Sequence, residues 1–430
     1  MDWTIKRAKK GLKGQITVNA DKSISHRAIM FGALSDGFCR IENFLFAEDC
    51  MRTLDAFRAM GIDIIKDSKN IIIVNGKGLN GLSSPKEDLY LGNSGTTMRI
   101  ISGILSGQDF SVKLTGDESL SGRPMNRIID PLKQMGADIA AEKDKGFPPL
   151  IINGIGTSLK SIFYKMPVAS AQVKSCILSA GLFAEGETIV QEPFKSRDHT
   201  ERMLKYFSAD IVQEGLKTSI KATGRLIPKD LVVPGDISSA AFFIVAALIL
   251  EGSSIIIRNV GLNPTRIGII NVLRRMGGKI EILGIKENFE PQGDIEIKFS
   301  ELKGIEIKED EIPLLIDEIP ILVIAALRAE GDTVIRGIKE LRVKETDRIK
   351  SISQNLLKAG LVTKETKDDI IISGKKEIVS SEFDSFGDHR IAMSMAIAAL
   401  VSDDKCLIRN TACADTSYPD FLKDLQSLLT

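Results

Sequence analysis

Phe242-Phe243-Ile244-Val245-Ala246-Ala247-Leu248-Ile249-Leu250-Glu251-Gly252-Ser253-Ser254-Ile255-Ile256-Ile257 contains one structural phrase: an apolar run of helix length, an acidic-glycine turn and a β-branched strand. A helix apolar on every side belongs inside a domain. The same order returns at five other turns: Ala33-Leu34-Ser35-Asp36-Gly37, Ile104-Leu105-Ser106-Gly107, Leu182-Phe183-Ala184-Glu185-Gly186, Leu327-Arg328-Ala329-Glu330-Gly331 and Leu400-Val401-Ser402-Asp403. Each copy goes on to a second helix, at 54–61, 132–136, 204–208, 273–277, 356–360 and 422–429. The period of roughly 70–80 residues is too long for common helical solenoids and propellers and suits a small βα unit with two helices. The second helices are amphipathic, as in Ile269-Ile270-Asn271-Val272-Leu273-Arg274-Arg275-Met276, and belong outside. Strands at 71–74, 254–257 and 370–372 are β-branched. Pro131 predicts a kink or restart in its helical stretch.

The repeats form two sets of three. Gln15-Ile16-Thr17-Val18-Asn19-Ala20-Asp21-Lys22-Ser23-Ile24-Ser25 matches Asp230-Leu231-Val232-Val233-Pro234-Gly235-Asp236-Ile237-Ser238-Ser239, each a short strand running through a polar turn into an apolar helix. Boundaries near Ala20 and Val233 give one α/β domain over 21–232 and a second over 1–20 and 233–430. Periodicity does not decide which half takes the strand at 14–19.

Composition narrows the class. A chain of 430 residues, 43% hydrophobic and 27% charged, suits a soluble protein of more than one domain. Its formal net charge of +0 argues against a large nucleic-acid or membrane-surface footprint. Five cysteines, an odd number without a C-x-x-C pair, fit a reducing compartment, so the expected location is cytoplasmic. The longest apolar stretch, 240–250, falls short of the ~20 residues a bilayer requires.

The buried helices begin at Asp21-Lys22-Ser23, Gly92-Asn93-Ser94-Gly95, Ala169-Ser170-Ala171-Gln172, Gly235-Asp236-Ile237, Asp317-Glu318-Ile319 and Gly387-Asp388-His389. Such residues are good N-caps. A helix N-terminus also attracts anions. Lys22, Arg27, Arg99, Arg123, Lys174, Arg197, Lys344, Arg348 and Arg390 cluster at these entrances and in the following loops. In a neutral chain, cations at matching points of several repeats point to a shared anionic ligand, and the planar fork of Arg suits carboxylate and phosphate. Gly92-Asn93-Ser94-Gly95-Thr96-Thr97-Met98-Arg99 is neither a P-loop nor a dinucleotide fingerprint. Asp317 and Glu345 are acidic positions in this cationic setting, and a neighbouring lysine could exchange protons with either. Asp317 could equally be a helix N-cap and Glu345 part of a solvated face. His26, His199 and His389 have no metal-ligand spacing.

These blocks carry a resemblance. Asp21-Lys22-Ser23-Ile24-Ser25-His26-Arg27-Ala28, the segment 91–99, Ser170-Ala171-Gln172, Ser196-Arg197-Asp198-His199-Thr200-Glu201, 343–348, 387–390 and Ser417-Tyr418-Pro419 occur in an order that resembles the EPSP synthase branch of the enolpyruvyl transferase family, over essentially the whole chain. The resemblance implies two domains, each of three βαβαββ repeats with buried parallel helices, and a first strand packed with the C-terminal half. It implies transfer of enolpyruvyl from phosphoenolpyruvate to the 5-hydroxyl of shikimate 3-phosphate through a tetrahedral intermediate, with no cofactor and no metal. A monomer is expected. Lys22, Ser23, Arg27, Ser170, Gln172, Ser196 and Arg197 would hold shikimate 3-phosphate, and Asn93 and Ala171 would also bind substrate. Lys22, Gly95, Arg123, Arg348 and Arg390 would hold phosphoenolpyruvate. Asp317 would be the base for the 5-hydroxyl, with Lys344 beside it, Glu345 would move the proton at the methylene carbon, and Lys22 would be the third catalytic residue. Alanine at the Gly95 position accompanies glyphosate insensitivity in some members, so Gly95 implies inhibition by glyphosate. One departure concerns Ala414-Asp415-Thr416-Ser417-Tyr418-Pro419-Asp420, where some members carry a lysine before T-F-P-D.

Two other readings compete. Enolpyruvyl transferases acting on UDP-N-acetylglucosamine usually carry a cysteine before R-P, but Gly116-Asp117-Glu118-Ser119-Leu120-Ser121-Gly122-Arg123-Pro124 has none. A non-catalytic anion-binding repeat protein would not need paired carboxylates among the cations.

Overall fold

The computed structural model describes residues 1–68, 70–156 and 159–429. The chain divides into two compact units, Ala20–Val233 and the pair Met1–Asn19 with Pro234–Thr430. The six apolar runs are helices Lys22–Leu34, Gly95–Ser106, Ala171–Gly181, Ile237–Ile249, Ile319–Arg328 and His389–Leu400. Ile237–Ile249 is buried along its entire length, as an uninterrupted apolar sequence requires. Within each unit these helices pack on one another and beneath sheets.

The Ala20–Val233 unit contains three four-stranded sheets. One runs, in spatial order, Leu89–Tyr90, Ser111–Thr115, Phe147–Asn153, Asp138–Lys143. Its first two strands are parallel, joined across the buried Gly95–Ser106 helix, and the others are antiparallel. The sheet Phe163–Lys165, Glu187–Gln191, Lys217–Lys221, Asp210–Glu214 repeats this order and polarity. This is the βαβαββ pattern. In the remaining sheet the leading strand is Leu231–Val232, from the far end of the unit, paired parallel to Asp36–Glu42. Strand Ile71–Lys77 alternates buried and partly exposed residues, so Ile72 and Val74 face the helices.

The other unit closes on itself in a similar way. Lys13–Ile16 pairs parallel to Ser254–Gly261 and leads the sheet that holds Gln292–Lys298 and Lys279–Lys286. The strand that periodicity left open therefore joins the C-terminal half. Trp3–Ile5 pairs antiparallel to Cys406–Arg409 and completes a sheet with Glu382–Asp384. The third sheet is Glu306–Ile307, Asp332–Ile335, Ile370–Ser373, Lys364–Glu365. Trp3 stacks on Phe421 with centroids 5.6 Å apart, holding the N-terminal strand to the same core as Phe242, Phe243 and Tyr418.

Local chemistry accounts for the helix ends. Side chains of Asp21, Ser94, Ser170, Asp236 and Asp388 accept from backbone N–H groups at five of the six buried entrances. At Ile319–Arg328 the cap residue is Glu318, without a side-chain cap bond, so Asp317 is not the N-cap its position suggested. Five amphipathic helices are followed by residues with left-handed backbone: Gly61, Gly136, Gly277, Gly360 and, without the licence of a glycine, Ser208 at φ 66°. Pro131 does not restart its helix, which runs unbroken from Asn126–Gln134. The missing N–H forgoes a bond to a carbonyl of the first turn, a small loss for a helix whose Ile128, Ile129 and Leu132 are buried.

Candidate active site

In the Ala20–Val233 unit, the start of the Lys22–Leu34 helix concentrates cations. Asp21 caps it by accepting from Ile24 N at 2.9 Å, and Lys22, the first helical residue, pairs with Asp49 at the start of the next helix. One turn on, Arg27 is buried. Its Nε donates to Thr200 Oγ1 at 2.7 Å, Nη2 to Ser175 Oγ at 2.9 Å and Nη1 to the Ser23 carbonyl at 2.9 Å. Two hydroxyls and a backbone carbonyl thus fix the orientation of the fork. Ser175 and Thr200 also bond each other at 2.6 Å, which joins the Ala171–Gly181 and His199–Tyr206 helices to Arg27.

The Gly95 turn is built around guanidinium groups. Arg123 donates to the Asn93 carbonyl at 3.5 Å and to Ser119 Oγ at 3.0 Å. Arg99 donates to Gln172 Oε1, and Gln172 Nε2 donates to Thr96 Oγ1 at 2.9 Å. A Cβ on Gly95 would lie 3.0 Å from Arg99 Nη1 and 3.3 Å from Arg123 Nη1. Glycine therefore allows two cations to converge on one backbone turn. Ser170 caps the Gln172 helix, with Ala171 its first residue. Ser196 donates to Glu192, and Arg197 beside it is half-buried. Lys174, expected among the ligand-facing cations, is instead fully enclosed between Glu192 and Glu201, each at 2.7 Å. Burial alone would lower its pKa; the two glutamates outweigh that and raise it.

In the other unit Arg348 is the hub. It is 1% exposed and sends each nitrogen to a different carboxylate: Nε to Asp388 at 2.7 Å, Nη1 to Asp317 at 3.0 Å and Nη2 to Glu345 at 2.5 Å. Burial opposes its charge, but the three carboxylates raise its pKa. Lys344 Nζ stands 3.7 Å from Asp317 Oδ1, and Arg390 Nη2 stands 3.7 Å from Asp317 Oδ2. The structure thus brings Asp317, Lys344, Glu345, Arg348 and Arg390 into one cluster, in which Asp388 is the third carboxylate against three cations. The dense charge run at 341–348 is not a solvated face, because Arg348 turns inward and takes Glu345 with it. Asp388 also caps its helix by accepting from Arg390 N at 2.8 Å, so one fully buried carboxylate holds both the Arg348 side chain and the helix start that carries Arg390.

Sequence reading missed Arg266. It lies just before the Gly268–Arg275 helix, the same point of the repeat as Arg123, Arg197 and Arg348 before or at theirs. Repeat position was the available signal. Arg266 is buried and donates to Asp236 Oδ1 at 2.9 Å and Ser238 Oγ at 2.8 Å, and Ser238 donates to Glu318. This chain fastens the short turn Ile316–Glu318, which carries Asp317, from behind. Among the described residues, no group of three or more His, Cys, Asp or Glu could hold a metal ion.

Comparison with known proteins shows the family. Residues 6–425 match the family model described as EPSP synthase (3-phosphoshikimate 1-carboxyvinyltransferase). A 3-phosphoshikimate 1-carboxyvinyltransferase of Geotalea daltonii is 51% identical over 97% of this chain and 97% of its own length. One from Bacillus thuringiensis subsp. konkukian is 48% identical over 99% of each. An EPSP synthase structure from Acinetobacter baumannii superposes with a TM-score of 0.89 at 47% identity, covering 100% of this chain and 98% of that one. With repeats, fold and full-length similarity in agreement, the chain belongs to the EPSP synthase family.

Proposed function

We propose that the residues gathered in the two units carry out transfer of the enolpyruvyl group of phosphoenolpyruvate to the 5-hydroxyl of shikimate 3-phosphate, with release of phosphate. Full-length relatives named 3-phosphoshikimate 1-carboxyvinyltransferase support the reaction and place it in aromatic biosynthesis by the shikimate route. The observation that carries the residue assignment is the Arg348 hub: two carboxylates suited to proton transfer, Asp317 and Glu345, held 3.0 and 2.5 Å from one buried guanidinium.

In this reading Asp317 takes the proton of the 5-hydroxyl as its oxygen attacks C2 of phosphoenolpyruvate. Glu345 delivers a proton to the methylene carbon, giving the tetrahedral intermediate. Removal of a methyl proton by Glu345 and departure of phosphate then restore the double bond. Lys344, beside Asp317, is placed to exchange the proton Asp317 has taken. Lys22, Ser23, Arg27, Ser170, Ala171, Gln172, Ser196 and Arg197 of the Ala20–Val233 unit hold shikimate 3-phosphate. Lys22, Asn93, Gly95 and Arg123, with Arg348 and Arg390, serve phosphoenolpyruvate, and their cations stabilise charge developing in the intermediate. We assign the enzyme to the cytoplasm as a monomer. Five free thiols fit a reducing compartment, and among the described residues no helix is long and apolar enough to cross a membrane. Cell fractionation and sedimentation check the two assignments.

The test of function is phosphate release from phosphoenolpyruvate with and without shikimate 3-phosphate. Release that requires shikimate 3-phosphate is expected; release without it, or none with both, overturns the reading.

A further inference from the structure

We infer that His26 is a positioning residue, tying the helix of Lys22, Ser23 and Arg27 to the turn of Asn93 and Gly95 through a buried relay of three hydroxyls. The inference rests on the substrate assignments proposed above.

His26 lies inside the Lys22–Leu34 helix, next to Arg27, and is completely buried. Its Nδ1 is 2.6 Å from Thr53 Oγ1, on the Glu48–Ala59 helix. Thr53 Oγ1 is 2.7 Å from Thr97 Oγ1, and Thr97 Oγ1 is 2.7 Å from Ser94 Oγ. Ser94 is the N-cap of the Gly95–Ser106 helix and accepts from Thr97 N at 3.3 Å. Three helices therefore meet in one line of hydrogen bonds, ending one residue before Gly95. All four side chains are buried, so each lost link leaves a polar atom that water does not readily rescue. Burial, followed by the charges of Lys22 and Arg27, holds the imidazole pKa well below its usual value, so the ring is neutral near pH 7. A neutral ring offers one donor and one acceptor, which is what a directional hydroxyl relay requires. Since the relay ends at the cap of the Gly95 helix, His26 helps set the turn on which Arg99 and Arg123 converge.

A change on the shikimate 3-phosphate helix should therefore be read at the other substrate. Steady-state kinetics of Thr53→Val, His26→Leu and His26→Asn, with each substrate varied in turn, test this. Thr53→Val keeps the volume and removes the hydroxyl. It is expected to raise KM for phosphoenolpyruvate by about tenfold, with KM for shikimate 3-phosphate changed less than about twofold. His26→Asn, whose amide reaches the position of Nδ1, should show a smaller rise than His26→Leu. The double variant His26→Leu/Thr53→Val should show less than the product of the single effects. Equal changes in both KM values, indistinguishable His26→Asn and His26→Leu, or independent effects would overturn the inference. If His26→Leu does not fold, the Thr53→Val ratio of KM changes decides. Wild-type turnover shows whether the functional reading stands: without it that reading fails, and with it a missing KM split counts against His26 alone.

Discussion

Asp317 and Arg348 touch, yet their removal should have opposite consequences. Asp317→Ala leaves Arg348 bonded to Asp388 and Glu345, so its buried charge stays compensated. The fold should survive while kcat falls by ~10²–10⁴-fold, as loss of a general base implies; phosphate release and thermal melting of the same sample check both. Arg348→Met instead strands Asp388, a fully buried carboxylate, and should destabilise by about 3–5 kcal/mol. At Gly95, alanine would put a methyl group 3.3 Å from Arg123 Nη1 and 3.0 Å from Arg99 Nη1. Both arginines must shift, so Gly95→Ala should raise KM for phosphoenolpyruvate and weaken glyphosate inhibition; an unchanged glyphosate titration would sink the assignment of this turn. His26 gives a pH dependence. Its folded pKa is depressed, so below about pH 6.5 the unfolded chain takes up a proton that the folded one refuses. Stability should be flat above that pH and fall by up to ~1.4 kcal/mol per unit below it. Replacing His26 with Asn should flatten the slope in denaturant titrations at successive pH values.

At the scale of elements, the left-handed residue closing five of the amphipathic helices shows how a backbone need becomes a sequence signal. Gly277 has φ 96°, and a Cβ there would meet only the Glu301 carbonyl at 3.4 Å, so the cost of Gly277→Ala is conformational, about 1 kcal/mol. Ser208, at φ 66°, already bears that cost, and Ser208→Gly should raise the melting temperature while Gly277→Ala lowers it. Opposite signs in one calorimetric series would confirm the role; equal signs would refute it. The buried helices and their caps were legible because an apolar run preceded by Asp or Ser has few alternatives. Asp317 and Glu345 were legible as acids among cations, but their common partner was not: no local pattern shows that Arg348 turns inward. Arg266 was hidden for the same reason, since Asp236 and Ser238, to which it donates, are remote in sequence. Pro131 misled because its stretch was judged by backbone propensity, whereas packing of Ile128, Ile129 and Leu132 decides that helix.

The whole molecule is organised by where its sheets are completed. Every sheet of the Ala20–Val233 unit draws its strands from within that unit, including Leu231–Val232, which closes the sheet begun at Asp36–Glu42. The other unit depends on residues more than two hundred positions away in the chain. Lys13–Ile16 leads the sheet of Ser254–Gly261, Trp3–Ile5 completes the sheet of Cys406–Arg409, and Trp3 stacks on Phe421. The two halves should therefore behave differently when separated. A fragment of residues 20–233 keeps all its strands and should unfold cooperatively in denaturant with a near-native circular dichroism spectrum. A fragment of residues 234–430 loses one strand from each of two sheets and exposes Phe421 and the Ser254–Gly261 edge, so it should be poorly folded alone. Adding a peptide of residues 1–19 should restore part of its structure, because every partner of that segment named above lies in the same unit. A 234–430 fragment that melts as sharply without the peptide as with it would show that the N-terminal strands are dispensable to the fold.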